Sequence, residues 1–465
     1  MAPLKHDSRP CCRALVAALT MLAALSSVAP ARADGAAGSL GGDRPISSMP
    51  ENDDIRIGAW ARLIEGPKAQ ALAYPGAAAR NGWGPWSISV IDGGDAFYVI
   101  FAPGSGGAKP GGGPLYAQGS WIIKRSAADG SVLQAKVFVR SDPGTFVRLY
   151  PYGSRSRIDV VAYGGVLYHK AIIPLPFEEL LRSPFSRIVG LTSDVIDWSR
   201  FSPDPALYRD LRGLMASVRA GLPSLRYADD GAIDADGRAV LISTLADQAK
   251  PAGLNCSGFV KWLVDGMLHP ITGNYLAVGR LKERMLDRRG SSFTIGFEER
   301  YDPFFGLDWS RALARAAWSA FYPSLRDESP LANDVAEAPF ALRVSDADPV
   351  NGGSAYEPYS DNFDDAGLDV RGLKAVLFML ASSEPGRFYL AQFNARESAP
   401  PNLRRYFHIA ALFPYFDEDG AFRVAVFESA AETSLDAVTR RGYEFVKLVR
   451  MPAASRFEPQ ALDRP

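Results

Sequence analysis

"LNCSGFVKWLVDG", residues 254–266, decides how the C-terminal half of this 465-residue chain is read. Phe259, Leu263 and Met267 recur at i, i+4 and i+8, with Val260 and Val264 beside them. That spacing predicts a helix with a buried face, starting at or near Cys256. A thiol at a helix start meets unpaired N–H groups and the positive end of the helix dipole, and both lower its pKa. The same N–H groups can hydrogen-bond an oxyanion. The competing reading of Cys256 is a small buried hydrophobe.

The chain has two other cysteines, Cys11 and Cys12, and both sit in its first residues. Lys5, Arg9 and Arg13 form a basic start, "ALVAALTMLAAL" is an apolar run, and "ARA" at 31–33 is a small-x-small site. This pattern predicts a secretory signal over 1–33, cleaved after Ala33, and hence a periplasmic or secreted protein. The apolar run is shorter than the roughly 20 residues a spanning helix needs. Neither cysteine follows the small-residue box of a lipoprotein. The mature chain is then expected to carry one thiol, no disulfide and no integral membrane segment. A formal net charge of -1 gives no basic field for nucleic acid.

Working outward, residues 34–54 are small, polar and glycine-rich and read as a flexible leader. From 55 to 192 short β-rich runs ("WSISVI", "AFYVIFA", "GSWIIKR", "VLQAKVFVR", "TFVRLY", "RIDVVAYG", "VLYHKAII") alternate with turn signals. They predict an antiparallel barrel or sandwich. "PGSGGAKPGGGP" is expected as a loop between strands; it lacks the Lys-Ser/Thr ending of a phosphate-binding loop. Residues 193–219 read as a helical connector, capped by Asp204 with Pro205 in the first turn. In 220–455 a hairpin is expected around Asp236-Gly237 and a helix over "LDWSRALARAAWSAFYP", ended by Pro323. A long polar loop is expected over 343–369. Strands are expected at "LKAVLFMLA", "RFYLAQFN", "YFHIAALF", "AFRVAVFE" and "YEFVKLVRM". The fold class is α+β: an N-terminal antiparallel β domain, then a helix-plus-antiparallel-sheet domain. A chain of roughly residues 200 to 465 is expected to fold by itself, provided the β domain is not part of its core.

"NCSGFVKW" resembles the nucleophile motif of NlpC-type cell-wall peptidases, a papain-like family whose motif usually reads Asp-Cys-Ser-Gly-Phe/Leu-Val. Cys256, Ser257, Gly258, Phe259 and Val260 match, and Asn255 stands in place of the aspartate. The family continues with a histidine opening a strand, for which "FHIAALFPYF" offers His408. A polar third residue follows on the next strand, for which "FES" offers Glu428. A tyrosine shortly before the cysteine often shapes the site, and Tyr227 is the nearest candidate. Ser257 and Gly258 would adjoin the substrate. The resemblance spans about 220–452 and implies a papain-like domain with a long insertion, since 152 positions separate Cys256 from His408. It also implies a peptidoglycan stem peptide, or a related peptide, as substrate, with no metal and no cofactor.

The residues support the same set independently. The chain has four histidines. His6 leaves with the signal, His169 lies in the β-rich half, and His269 falls at the wrong end of the Cys256 helix. His408 remains. A hairpin centred at Glu418 pairs positions whose numbers sum to 836, which sets His408 opposite Glu428 at about 5 Å between Cβ atoms. The expected roles are nucleophile for Cys256, general base and acid for His408, and orienter for Glu428. "DADG" and "DEDG" read as turns rather than calcium loops. Trp83 and Trp86 read as structural aromatics. The function expected is an exported cysteine hydrolase, a stem-peptide endopeptidase. A thiol acyltransferase or amidase on another substrate, and an inactive wall- or protein-binding module, are the alternatives.

Overall fold

Alternation builds the first sheet. In Trp121–Ser126 the side chains of Trp121, Ile123 and Arg125 are buried, while Ile122, Lys124 and Ser126 lie half-buried on the other face. This is the period-two signature of a strand with one face on a core. The computed structural model describes residues 43–104, 115–285, 302–324, 332–335, 366–398 and 402–462, positions 296 and 400, and the strand backbones at 342–344, 356–358 and 362–363. The expected signal segment, the start of the leader and most of the "PGSGGAKPGGGP" loop lie outside the described residues.

Eight strands form a meander: β1 (Ala77–Asn81), β2 (Gly84–Asp92), β3 (Ala96–Pro103), β4 (Trp121–Ser126), β5 (Val132–Phe138), β6 (Phe146–Tyr152), β7 (Arg155–Ala162) and β8 (Gly165–Ile173). They pair in sequence order, all antiparallel. Among the described residues the ladder does not close. β8 pairs in parallel with β11 (Leu342–Val344), which pairs with β12 (Tyr356–Pro358), giving ten strands in one open order. The expected barrel or sandwich is therefore a single open sheet. The short runs marked seven of the eight meander strands, missing β1 (Ala77–Asn81), and did not show how the edges end. Its buried face takes the helix Asp53–Leu63, whose Arg56 lies 3.6 Å over the Trp121 ring and donates to the Leu181 and Ser183 carbonyls.

Three local expectations are corrected. Residues 43–54 are anchored rather than flexible: Asp43 accepts from Ser141, Ile46 and Met49 are buried, and the helix begins at Asp53. Two isolated apolar residues among polar ones leave no periodic trace. "LKAVLFMLA" is a helix, Leu373–Ser383. A short apolar run has no period to distinguish helix from strand, and its Leu, Ala and Met favour the helix. The polar segment 343–369 contains short strands, including β13 (Asn362–Phe363) and β14 (Gly367–Asp369).

The second half carries the hairpin β9 (Gly231–Ile233) and β10 (Ala239–Leu241) around Asp236-Gly237, the helix Cys256–Thr272 and the helix Phe305–Phe321. Its sheet adds β15 (Arg387–Arg396), β16 (Arg404–Phe416), β17 (Phe422–Glu428), β18 (Ala431–Thr433) and β19 (Phe445–Pro452). The order is β13-β14-β19-β15-β16-β17-β18, with antiparallel pairing throughout. The molecule is thus mixed α and β, with two large sheets that pair antiparallel except for β8–β11, beside the two-stranded β9–β10 hairpin. The Cys256 helix packs on β16, β9 and the Phe305–Phe321 helix. Gly42–Pro465 forms one compact unit, and side chains cross between the halves. Tyr163 stacks within 5.3 Å of Phe378 and 5.1 Å of Phe422, and Arg140 donates to the Gly420 carbonyl at 2.8 Å. No helix among the described residues is long and apolar enough to cross a membrane.

Candidate active site

Asn255 starts the helix. Its side chain accepts from the Gly258 N–H at 2.8 Å and its carbonyl accepts from the Phe259 N–H at 2.8 Å. Asparagine is among the best residues at this cap position and puts no negative charge beside the thiol. Two first-turn donors are not taken up by Asn255: the N–H groups of Cys256 and Ser257. The thiol therefore sits on the first residue of a 17-residue helix, at the positive end of its dipole.

Glycines bring the helix start against the preceding chain. A Cβ on Gly258 would lie 2.0 Å from the Gly231 carbonyl oxygen, itself the acceptor of the Asn255 N–H at 3.0 Å. Gly231 and Gly253 approach equally closely, with 2.0 Å between a Cβ on Gly231 and the Gly253 oxygen. The obstructing atoms are backbone and cannot rotate away. Gly258→Ala is accordingly expected to cost about 3 kcal/mol or more and to displace the thiol. Urea unfolding measures the first effect and thiol alkylation the second; an unchanged midpoint with unchanged alkylation would contradict the packing described.

β16 presents His408. Phe393 pairs with His408 but Asn394 pairs with Tyr406, so Phe407 is an extra, bulged residue, 43% exposed. Such a bulge re-aims the side chains beside it. His408 Nε2 bonds to Glu428 Oε2. That leaves Nδ1 as the ring nitrogen for Cys256, and the thiol and the ring shift each other's pKa. The observed β16–β17 register sums to 838, as in Ala411 with Phe427, so the turn centres one position later than expected. His408 and Glu428 are thus diagonal neighbours rather than directly opposite. A two-residue offset preserves the face, and the long side chains span the diagonal.

The electrostatics follow from this contact set. Burial raises the Cys256 pKa, but the His408 hydrogen bond and charge, the Ile409 N–H and Ser257 outweigh it and hold the thiol below its ordinary value. Burial pulls His408 down, yet Cys256 and Glu428 carry it up to about 9. Glu428 is buried, which raises it, but His408 and Arg441 bring it down to about 2. The favoured state is a thiolate–imidazolium pair on an ionised glutamate.

Cys256, His408 and Glu428 come together, and Ser257 and Gly258 form the helix turn beside them. Tyr227 pairs by backbone with Leu254, two residues before the thiol, and is 61% exposed. Its pKa is raised, chiefly by the neighbouring Asp229. His269 stacks on Tyr275 and faces Glu458, while His169 meets Asp159 in the first sheet. Trp86 is buried and donates to Asn81. Among the described residues no group of side chains could hold a metal ion. Three neighbours carried no motif in the sequence. Tyr443 lies parallel to the His408 ring (6.1 Å, 3°), Phe393 stacks on the same ring at 6.3 Å, and Arg441 grips Glu428.

A family model described as a domain of unknown function (DUF8515) matches residues 45–200. The match covers the meander and its helices and ends before the cysteine. No curated protein and no solved structure matches the chain.

Proposed function

We propose that this chain is a cysteine hydrolase that cuts an amide bond, with a peptidoglycan stem peptide as its substrate. The reading rests on one observation above all: a thiol on the first residue of a helix is coupled to a histidine whose Nε2 is held by a buried carboxylate. The substrate class comes from the resemblance of the Asn255–Val260 motif to the NlpC-type peptidases.

In this mechanism the Cys256 thiolate attacks the amide carbon and the carbonyl π electrons move to oxygen. The Cys256 and Ser257 N–H groups, in the first turn of the helix, are the donors assigned to that developing charge. As the C–N bond breaks, His408 gives its Nδ1 proton to the leaving amine, and a thioester remains on Cys256. Neutral His408 then takes a proton from water as its oxygen attacks the thioester. A second oxyanion collapses, the acid leaves, and the thiolate–imidazolium pair is restored.

The proposal is tested by digesting purified muropeptides and measuring products by mass. Paired fragments whose masses sum to the substrate plus one water are expected from the wild type and not from Cys256→Ala. Intact muropeptides with both proteins would end the hydrolase reading. Turnover should fall as pH rises through about 9, where His408 loses its proton, and fall again at low pH, where the thiolate is protonated. Stability follows the same groups. The raised His408 pKa adds stability fully present below about 6.5 and lost through about 9. The depressed Glu428 pKa adds stability present above about 4.5 and lost as pH falls through about 2.

A further inference from the structure

We propose that Arg441 is a fourth member of this site, a positioning residue that acts on His408 through Glu428. The inference rests on the hydrolase reading, because it assigns a role within the same Cys-His-Glu set. A single carboxylate that only touches a histidine can rotate, and a rotated Glu428 would leave the ring free to swing from the thiol. Arg441 prevents this by holding both oxygens: Nη1 donates to Oε2 at 2.7 Å and Nη2 donates to Oε1. Oε2 is also the atom that meets His408 Nε2, so the clamp fixes the one acceptor on which the ring depends. Only a planar, two-pronged guanidinium holds a carboxylate this way.

The loop that delivers Arg441 also delivers Tyr443. Gly442 between them has φ +84°, a left-handed conformation that glycine adopts freely. Burial raises the Tyr443 pKa and Arg441 lies close enough to oppose that rise, while the Tyr443 ring lies parallel to His408. The histidine is thus held at its edge by Glu428 and at its face by Tyr443, and both holds lead back to Arg441. Neighbouring charges are otherwise engaged: Glu444 by Arg404 at 2.9 Å, and Asp436 by Arg440 at 3.6 Å. Across the site, Asp229 neighbours Tyr227.

Arg441 also places a positive charge behind the glutamate. Removing it leaves the Glu428 charge unopposed, which favours the imidazolium, and takes a cation away from the thiolate. Both effects act in the same direction, so the pKa values of Cys256 and His408 should both rise.

The experiment needs no substrate. The iodoacetamide alkylation rate of the full chain is measured against pH, and its two inflections report thiolate formation and loss of the His408 proton. In Arg441→Gln both inflections are expected to move up by about one unit, with the thermal midpoint recorded alongside. In the Glu428→Gln background the same substitution should move the upper inflection by less than about 0.3 units, because the route through Glu428 is gone. Arg441→Lys keeps the charge without the two-point grip, so the window between its two inflections should narrow, as a ring no longer held loses the contacts that lower the thiol and raise the histidine. The Arg441 side chain is 40% exposed, so these variants should fold. Unmoved inflections in Arg441→Gln would overturn the proposal, as would an upper inflection that moves equally with and without Glu428. If Arg441→Gln fails to fold, Arg441→Lys decides: a narrowed window supports the grip and wild-type inflections overturn it. A wild type with an ordinary thiol inflection would instead remove the hydrolase reading itself.

Discussion

Replacing Cys256 with alanine should reduce turnover by at least about 1000-fold, because the covalent step has no substitute. No other cysteine follows the first twelve residues, and Ser257 is buried against the helix. Cys256→Ser should be nearly as poor, since His408 already holds its proton at neutral pH and a hydroxyl needs a stronger base. His408→Ala should remove most activity and return the thiol inflection toward its ordinary range, because the hydrogen bond and charge that hold it down are gone. Glu428→Gln should cost less than either, as the amide can still bond the ring without stabilising its charge. Iodoacetamide rates across pH distinguish these outcomes. Identical profiles for wild type and His408→Ala, with an ordinary thiol in both, would show that the two residues do not act as a pair and would favour the binding-module reading.

Removing the first sheet should have an effect of similar scale on folding. A chain beginning near residue 200 loses the Tyr163 ring that lies between Phe378 and Phe422, both buried in the intact molecule. It also loses the Arg140 side chain that donates to Gly420 in the β16–β17 turn, and the strand β8 on which β11 pairs. Aromatic side chains bury about 150–250 Å² each. At about 25 cal/mol per Å², exposing even these two costs several kcal/mol, a large share of ordinary stability. The truncated chain is expected to be insoluble, or soluble with strong ANS binding and no cooperative melt. A sharp two-state melt and wild-type alkylation would show instead that the second half stands alone.

Parts of this arrangement were legible because their signals are local. The Cys256 helix announces itself by its i, i+4 and i+8 apolar residues and its Asn255 cap. The His408–Glu428 contact could be reached by hairpin arithmetic, because an offset of two leaves both residues on one face. The Asp204 and Asp236-Gly237 signals are short-range in the same way, and the structure places a cap at the first and a hairpin at the second. What escaped was set by distant chain. The Phe407 bulge depends on β15, which pairs beside it. Arg441 and Tyr443 matter only because β17 and β16 bring Glu428 and His408 to them. Leu373–Ser383 is apolar along most of its length, and its neighbours rather than its period make it a helix.

The parallel pairing of Leu342 with Tyr168 joins positions 174 residues apart. During synthesis β8 emerges long before its partner exists, so the meander must wait with one side unfinished. Closing so wide a loop is slow, and until it closes the exposed amides could recruit a strand from a neighbouring molecule. The β7–β8 ladder is irregular in two places, between Ile158 and Val160 and between Val160 and Val161, and Lys170 stands in a left-handed conformation. An uneven border of this kind is a poor template for a foreign strand, yet it accepts the short native one that arrives late.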